Sequence, residues 1–491
     1  MTTRRLLALV VGAVLAYGVW AVAIPLAGTP DGRQHVVWAA ALWQGQLAPD
    51  DHVEANGDFR STESDVEVPA AYADLAARYR CFWTNNPTRD GCVLALDAKD
   101  GMATATTRAG RYPPAYYLAV GAPLRSADPV VGIGGARVLS ALLTGLTLAA
   151  GLVVAARRRR HALVALALTP YAFYLGALVN PSGWEIASAL TLTLGLLALG
   201  DRDAAKVDAD VVVALAAGGT GLLLARPLGP AFVLLAVAVA ALVADREVLR
   251  AGLRDRRVRG VGVWLGVAFA FAAAWYVWRD PSGALAGTPA PDLSTGDVVG
   301  EVARLTPAIL DQMVWNAVGF PPDLVRTLWV VAAGLALVGA VVVARSRQRL
   351  GIGLALAAVL GLPFVGVLQA VDDIGVVWQG RYSQPLAAIT IAVGSWILSA
   401  RLGPIARRRL TWSLVVLGGT VQSWSVLAHV ANRMAWPEAP AGLLVEAAVD
   451  RWSPVVPPLA LGVLMVVAWG LLGYGLDRED AASAPEGAPL A

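Results

Sequence analysis

The feature that most constrains this chain is a recurrence of apolar runs, each close to the length of a bilayer crossing. A helix needs about 20 mainly apolar residues to cover roughly 30 Å of hydrocarbon. Runs of that kind lie near 6–26, 131–156, 161–179, 183–200, 209–226, 228–244, 260–278, 323–344, 350–369, 386–400, 411–430 and 455–475. The expected fold is therefore all-α and integral to the membrane, with about twelve transmembrane helices, the shortest of them candidates for half-helices. Composition agrees, since 57% of residues are hydrophobic and 15% charged, against roughly 25% charged in a soluble domain. An ordinary soluble enzyme is excluded. The 39 basic and 36 acidic residues nearly cancel to +3, so no field points to nucleic acid as a partner.

Orientation follows from the connections that carry arginine. Arg4–Arg5, Arg157–Arg160, the stretch 246–259, Arg345/Arg347/Arg349 and Arg407–Arg409 all fall on one side if the spans alternate. That side is expected to be the cytoplasm, with both termini on it and the protein multi-pass in the cell membrane. Ala21–Val22–Ala23 loosely resembles a signal-peptide cleavage site, but the apolar core from Leu6 to Leu26 exceeds the roughly 7–15 residues of a signal h-region, so an anchor is expected.

The transmembrane domain is expected over 1–475, with 27–130 as a long first outer loop, 279–322 as a second, and 476–491 as a disordered cytoplasmic tail. The first loop should carry surface helices, among them 113–124, too short to span and rich in tyrosines suited to the interface. Two cysteines are too few for a zinc ribbon, an iron–sulfur cluster or a disulfide-dense scaffold. Cys81 and Cys92 both fall in the first outer loop, where they form either one disulfide, contributing about 2–3 kcal/mol, or two unpaired thiols. No internal repeat is visible.

Polar residues near the membrane are the informative ones, because a charge at a helix centre costs about 2.5–3.5 kcal/mol even on insertion scales. They gather in five groups. Asp31 and His35 follow the first span at a spacing of four, which places them on one helical face. There Asp31 is either a general base for an acceptor hydroxyl or a helix cap. Arg111-Tyr112-Pro113-Pro114-Ala115-Tyr116-Tyr117 either binds a lipid-borne phosphate or forms an interfacial belt. In Asn180-Pro181-Ser182-Gly183-Trp184-Glu185, Ser182 is a candidate cap, and Glu185 lies in the first turn of an apolar span, where it calls for a partner such as arginine. Arg226 sits in a hairpin between spans, and Asp372 and Asp373 precede Gln379-Gly380-Arg381-Tyr382 at the start of another. All five groups fall on the expected outer face.

Pro30-Asp31 with His35 and Gly45, Tyr112-Pro113-Pro114 with Tyr116-Tyr117, Asn180-Pro181-Ser182-Gly183 with Glu185, and Gln379-Gly380-Arg381-Tyr382 with Pro385 cover most of the chain. In this order they resemble the bacterial membrane proteins grouped as domain of unknown function 2142, which look like a branch of the GT-C superfamily of polytopic glycosyltransferases. The resemblance implies an enzyme that takes a sugar from a polyprenyl-phosphate carrier and passes it to a cell-envelope glycan or lipid acceptor outside the membrane. It carries the activating acid over to Asp31, and the donor phosphate to Arg381 first, then Arg226 and Arg111. His35, Tyr112, Asn180, Glu185, Asp372, Asp373, Gln379 and Tyr382 complete the expected substrate site. GT-C proteins often show a second acid beside the first, whereas Gly32 follows Asp31 here. No metal ligands are assigned, and a divalent cation is the one cofactor left open; Asp31 acts either alone or with Asp372, Asp373 or Glu54 as helper.

Two other classes compete with transfer. A flippase or transporter of lipid-linked saccharides would place its polar site near the midplane, often between repeated halves. A polysaccharide polymerase or ligase would share the lipid carrier but use a diphosphate-linked oligosaccharide. Gly-x-x-x-x-Gly-Lys, His-Glu-x-x-His and Gly-x-Ser-x-Gly motifs are absent, which removes the hydrolase and nucleotide-binding classes that depend on them.

Overall fold

The computed structural model describes residues 1–26, 31–73, 75, 96–202, 206–280, 286–315, 323–433 and 454–477. Cys81, Cys92 and the tail beyond Asp477 lie outside the described residues. The apolar runs become helices because lipid offers no partners for backbone N–H and C=O groups, and a helix satisfies them internally.

Helix α1 (Thr3–Ala23) leads into a first loop holding α2 (Gly32–Trp43), β1 (Asp51–Asn56), β2 (Phe59–Pro69), α3 (Ala70–Ala73), β3 (Met102–Thr107) and α4 (Ala115–Val120). Helix α5 (Pro129–Arg157) then begins where the Asp128 carboxylate accepts from Val130 N at 2.8 Å, with Pro129 supplying a preset first turn. It is followed by α6 (Pro170–Ala177), α7 (Pro181–Leu199), α8 (Ala209–Ala225), α9 (Gly229–Val243), α10 (Arg246–Gly252) and α11 (Arg256–Arg279). The second loop contributes β4 (Ala286–Gly287) and the amphipathic α12 (Thr295–Val314), and the chain closes with α13 (Asp323–Val343), α14 (Ser346–Ile374), α15 (Gly380–Ser399), α16 (Pro404–Arg433) and α17 (Pro458–Leu476).

Eight described helices are long and apolar enough to cross a membrane: α1, α5, α7, α11, α13, α14, α16 and α17. Two shorter apolar helices, α8 and α9, run beside them. The apolar stretch of α7 is 94% buried, whereas those of α11 and α13 are 17% and 11% buried, so α7 lies at the centre and the other two at the edge.

The run 161–179 does not form one helix. Pro170 cannot donate to a preceding carbonyl and biases Thr169 toward extended backbone, so α6 starts afresh there with Thr169 as its cap. A four-residue 3₁₀ turn, Val164–Ala167, precedes it. The backbone groups left over are met by neighbours: Ser399 and Ser395 hydroxyls accept from Ala162 N and Leu163 N at 3.0 and 3.1 Å, and Trp329 and Gln422 donate to the carbonyls of Leu166 and Leu168 at 3.0 and 3.1 Å. Irregular backbone survives at this depth because it is wrapped in protein.

The first loop also holds a sheet that the sequence reading did not anticipate. Its order is β1-β2-β3, antiparallel, with β4 pairing beside β2 through Arg60↔Gly287 and Ser61↔Ala286. Val66 and Val68 point inward from β2, and α2 is tied to β3 by Thr107 Oγ1 donating to Gln34 O at 2.7 Å and Arg33 donating to Thr106 Oγ1 at 2.9 Å. The two loops are thus one layer over one end of the bundle. At the opposite end Arg157, Arg158 and Arg160 pair with Asp210, Asp208 and Asp201.

Candidate functional site

The site sits at the sheet end, where the starts of α2, α7 and α15 meet the end of α8. Asn180 starts α7 by accepting from Ser182 N through its Oδ1 at 2.9 Å, so Asn180, not Ser182, is the cap. The Ser182 hydroxyl is thereby left to accept from Arg226 Nη1 at 2.8 Å. Gly183 is required by packing, because a Cβ there would stand 2.1 Å from the Cα of Gly176 in α6. Helix α15 is seated by α12: the Gln312 side chain accepts from Gly380 N at 2.9 Å, and a Cβ on Gly380 would meet Ile309 O at 2.5 Å. Gln384 adds donations to Thr169 Oγ1 and Met313 O at 2.7 and 2.9 Å.

This seating brings Arg381 to Asp31, 350 residues away in the chain, and Arg381 Nη2 donates to the Asp31 carboxylate. Asp31 occupies the N-cap position of α2 without capping it, and its backbone is left-handed at φ 53°. Of the two roles open to Asp31, the cap is not formed; the carboxylate makes an ion pair instead, in a backbone conformation that costs an ordinary residue energy. Burial opposes ionisation of Asp31, but the surrounding positive groups, Arg381 foremost, together outweigh it and hold the carboxyl at about 2. One turn along, burial pushes the His35 imidazole down to about 3 against the pull of Asp31, and its Nδ1 lies 2.8 Å from the Tyr117 hydroxyl. At neutral pH the pair is a carboxylate beside an uncharged imidazole.

Arg226 and Arg381 share Tyr382, whose ring centre is 5.0 Å from one guanidinium carbon and 5.2 Å from the other. Arg226 also lies 5.6 Å from the Tyr112 ring centre and donates to the Tyr112 hydroxyl at 3.4 Å. The Arg381 Nε is buried without an acceptor among the described residues. Two guanidinium groups stacked on tyrosines keep donors available for an anion, and their planar forks suit phosphate oxygens. Glu185, 2% exposed, lies on α7 near Arg226.

Asp31, His35, Tyr112, Asn180, Glu185, Arg226, Arg381 and Tyr382 thus come together, while four expected members do not join them. Arg111 turns away to Asp51, donating at 3.0 Å, and to Asp280 O at 3.2 Å, so it pins the sheet to the end of α11. Asp372 and Asp373 stay exposed on α14, which continues as helix through Ile374, past the end of the apolar run 350–369. Gln379 is the residue before α15, and its side chain makes no cap bond. The tyrosines of α4 are not interfacial: Tyr116 and Tyr117 are fully buried, and the Tyr116 hydroxyl meets Ser140 Oγ at 2.7 Å, Leu178 O at 3.1 Å and Asn180 N at 2.8 Å. A metal does not fit Asp31, whose carboxylate already faces Arg381, and among the described residues no three of His, Cys, Asp and Glu gather closely enough to hold one.

Arg137 is the residue that sequence reasoning missed. Buried within α5, it donates to the carbonyls of Ile24, Pro25 and Leu26 at 2.5, 2.8 and 3.2 Å, and so fixes the residues that follow α1. A lone charge inside an apolar run was the available signal.

A bundle of membrane-length helices whose polar residues collect under a loop layer at one end defines a polytopic membrane protein. The family model described as predicted membrane protein, DUF2142, matches residues 14–390, and the chain belongs to that family. Comparison with curated proteins and with solved structures gave no match.

Proposed function

We infer that the protein is a membrane glycosyltransferase of GT-C type, taking a sugar from a polyprenyl-phosphate donor to a cell-envelope acceptor. The observation that carries this reading is the convergence of Asp31, Arg381 and Arg226 at one boundary of the bundle. In this reading the sheet end faces outward and the arginine-rich end, with both termini, faces the cytoplasm. Helices α8, α9 and α15 and the broken run 161–179 join the eight long helices to make twelve crossings.

The chemistry is an inverting displacement. The acceptor oxygen bonds to the anomeric carbon as the bond to the phosphate oxygen breaks, Asp31 takes the acceptor proton, and polyprenyl phosphate departs with its charge held by Arg381 and Arg226. A phosphate that engages Arg381 also loosens its hold on Asp31, freeing the carboxylate for the acceptor. The polar groups lie at the bundle end, beyond the midplane position favoured by transporters, which supports transfer over flipping.

The test is transfer of radiolabelled sugar from polyprenyl-phosphate donors by the purified chain in lipid nanodiscs. Asp31→Asn is expected to lower turnover by about 10²–10⁴-fold, the range for losing a positioned proton acceptor. Unchanged turnover removes Asp31 from the chemistry.

A further inference from the structure

Glu185 differs from the other charged groups of the site. Asp31 has Arg381, and Arg226 has the Ser182 and Tyr112 hydroxyls and two aromatic rings. Glu185 has no hydrogen bond or ion pair among the described residues, although 98% of its surface is covered, its exposure being 2%. A buried carboxylate without a hydrogen-bond donor loses its hydration and regains only part of it from a nearby charge, here Arg226. A residue kept in that state beside a ligand site is suited to meeting donors that the ligand brings.

Helix geometry fixes which way it faces. Ser182 and Glu185 are three residues apart on α7, so they share a face, and Ser182 already touches Arg226 at 2.8 Å. Gly183 packs on α6 instead, on another face of the same turn. Glu185 therefore stands on the Arg226 side. Arg226 also decides the class of donor: a second cation placed there would be repelled by the guanidinium, whereas neutral hydroxyl groups would not.

We propose that Glu185 accepts hydrogen bonds from the hydroxyl groups of the sugar whose phosphate is held by Arg226 and Arg381, and so gives the site its preference for a sugar-bearing over a bare lipid phosphate. This rests on the glycosyltransferase reading, and it assigns different work to the two carboxylates. Asp31 serves the acceptor, and Glu185 serves the donor sugar.

The experiment measures binding of polyprenyl monophosphate, bare or carrying a hexose or a pentose, to the full chain in neutral nanodiscs. Wild type is expected to bind at least one sugar-bearing lipid more tightly than the bare one. Glu185→Gln and Glu185→Asp should each weaken that lipid by about tenfold or more, as for loss of a hydrogen bond to a charged group. Both should leave the bare lipid within about twofold, which also shows that the site still folds. A preference that survives both substitutions, or an equal loss for bare and sugar-bearing lipid, overturns the role of Glu185 while leaving the transferase reading standing. Wild type that binds none of the lipids overturns both.

Discussion

The two ends of the bundle use arginine in opposite ways. At the end away from the sheet, Arg157, Arg158 and Arg160 each reach an aspartate, at 3.3, 2.9 and 3.4 Å, and Arg407 donates to the carbonyls of Arg159 and Ser399 at 3.3 Å. Their partners come from adjacent connections within the protein. At the sheet end, Arg226 and Arg381 are enclosed by Tyr112 and Tyr382, with a single carboxylate among the described residues, Asp31, bonded to either of them. The difference lies in the type of partner: arginines at the first end pair mainly with aspartates, and those at the sheet end stack on tyrosines, while Arg158 and Arg381 alike keep a buried Nε without an acceptor among the described residues.

Substitutions can break that contrast, starting with the largest effect. Arg381→Ala should cost about 10²–10³-fold in turnover, the range for losing one preorganised stabiliser of developing charge. It should also lower the melting temperature, because Asp31 loses its counter-charge. Adding Asp31→Ala should restore stability but not turnover, which separates the structural from the chemical contribution. Arg226→Lys should raise the KM for the lipid phosphate by about tenfold with little change in kcat, since lysine keeps the charge and loses the planar fork; an unchanged KM would return Arg226 to a packing role.

Acid sharpens the comparison in a different way. The folded His35 imidazole titrates near 3 against an ordinary value of 6.5, so below pH 6.5 the unfolded chain takes up the proton first and stability falls as pH drops. Asp31 is depressed from 3.8 to about 2, so its contribution is fully present above pH 4 and is lost only on approach to pH 2. Melting temperatures between pH 7 and 5 should therefore decline, and His35→Gln should flatten the decline while Asp31→Asn does not. The smallest effect is expected at the other end: Arg157→Ala should change turnover by less than about twofold, because its pair with Asp210 is partly exposed and surface pairs contribute little.

Much of the bundle was legible in the sequence because lipid imposes a length and a polarity that few residues can violate. Runs such as 131–156 and 260–278 appear as α5 and α11 with ends shifted by a few residues. The exceptions have local causes. Pro170 broke the run 161–179, and no pattern over residues 50–107 was long enough to announce β1, β2 and β3. In the site, the polar groups were found because charge is scarce in this chain, but their roles were not. Ser182 and Asp31 both looked like caps, and each instead faces an arginine brought by a distant helix.

The sequence by itself determined that the chain is a membrane bundle and which polar residues call for an explanation, because hydropathy and charge cost act locally along the chain. Only the tertiary structure decided which of those residues meet. Arg111, Asp372 and Asp373 look as eligible as Arg226 and Arg381 on paper. The seating of α15 on α12 and the close approach of Gly183 to Gly176 placed one set around Tyr382 and left the other outside. Packing between helices far apart in the chain makes that choice, and no local pattern records it.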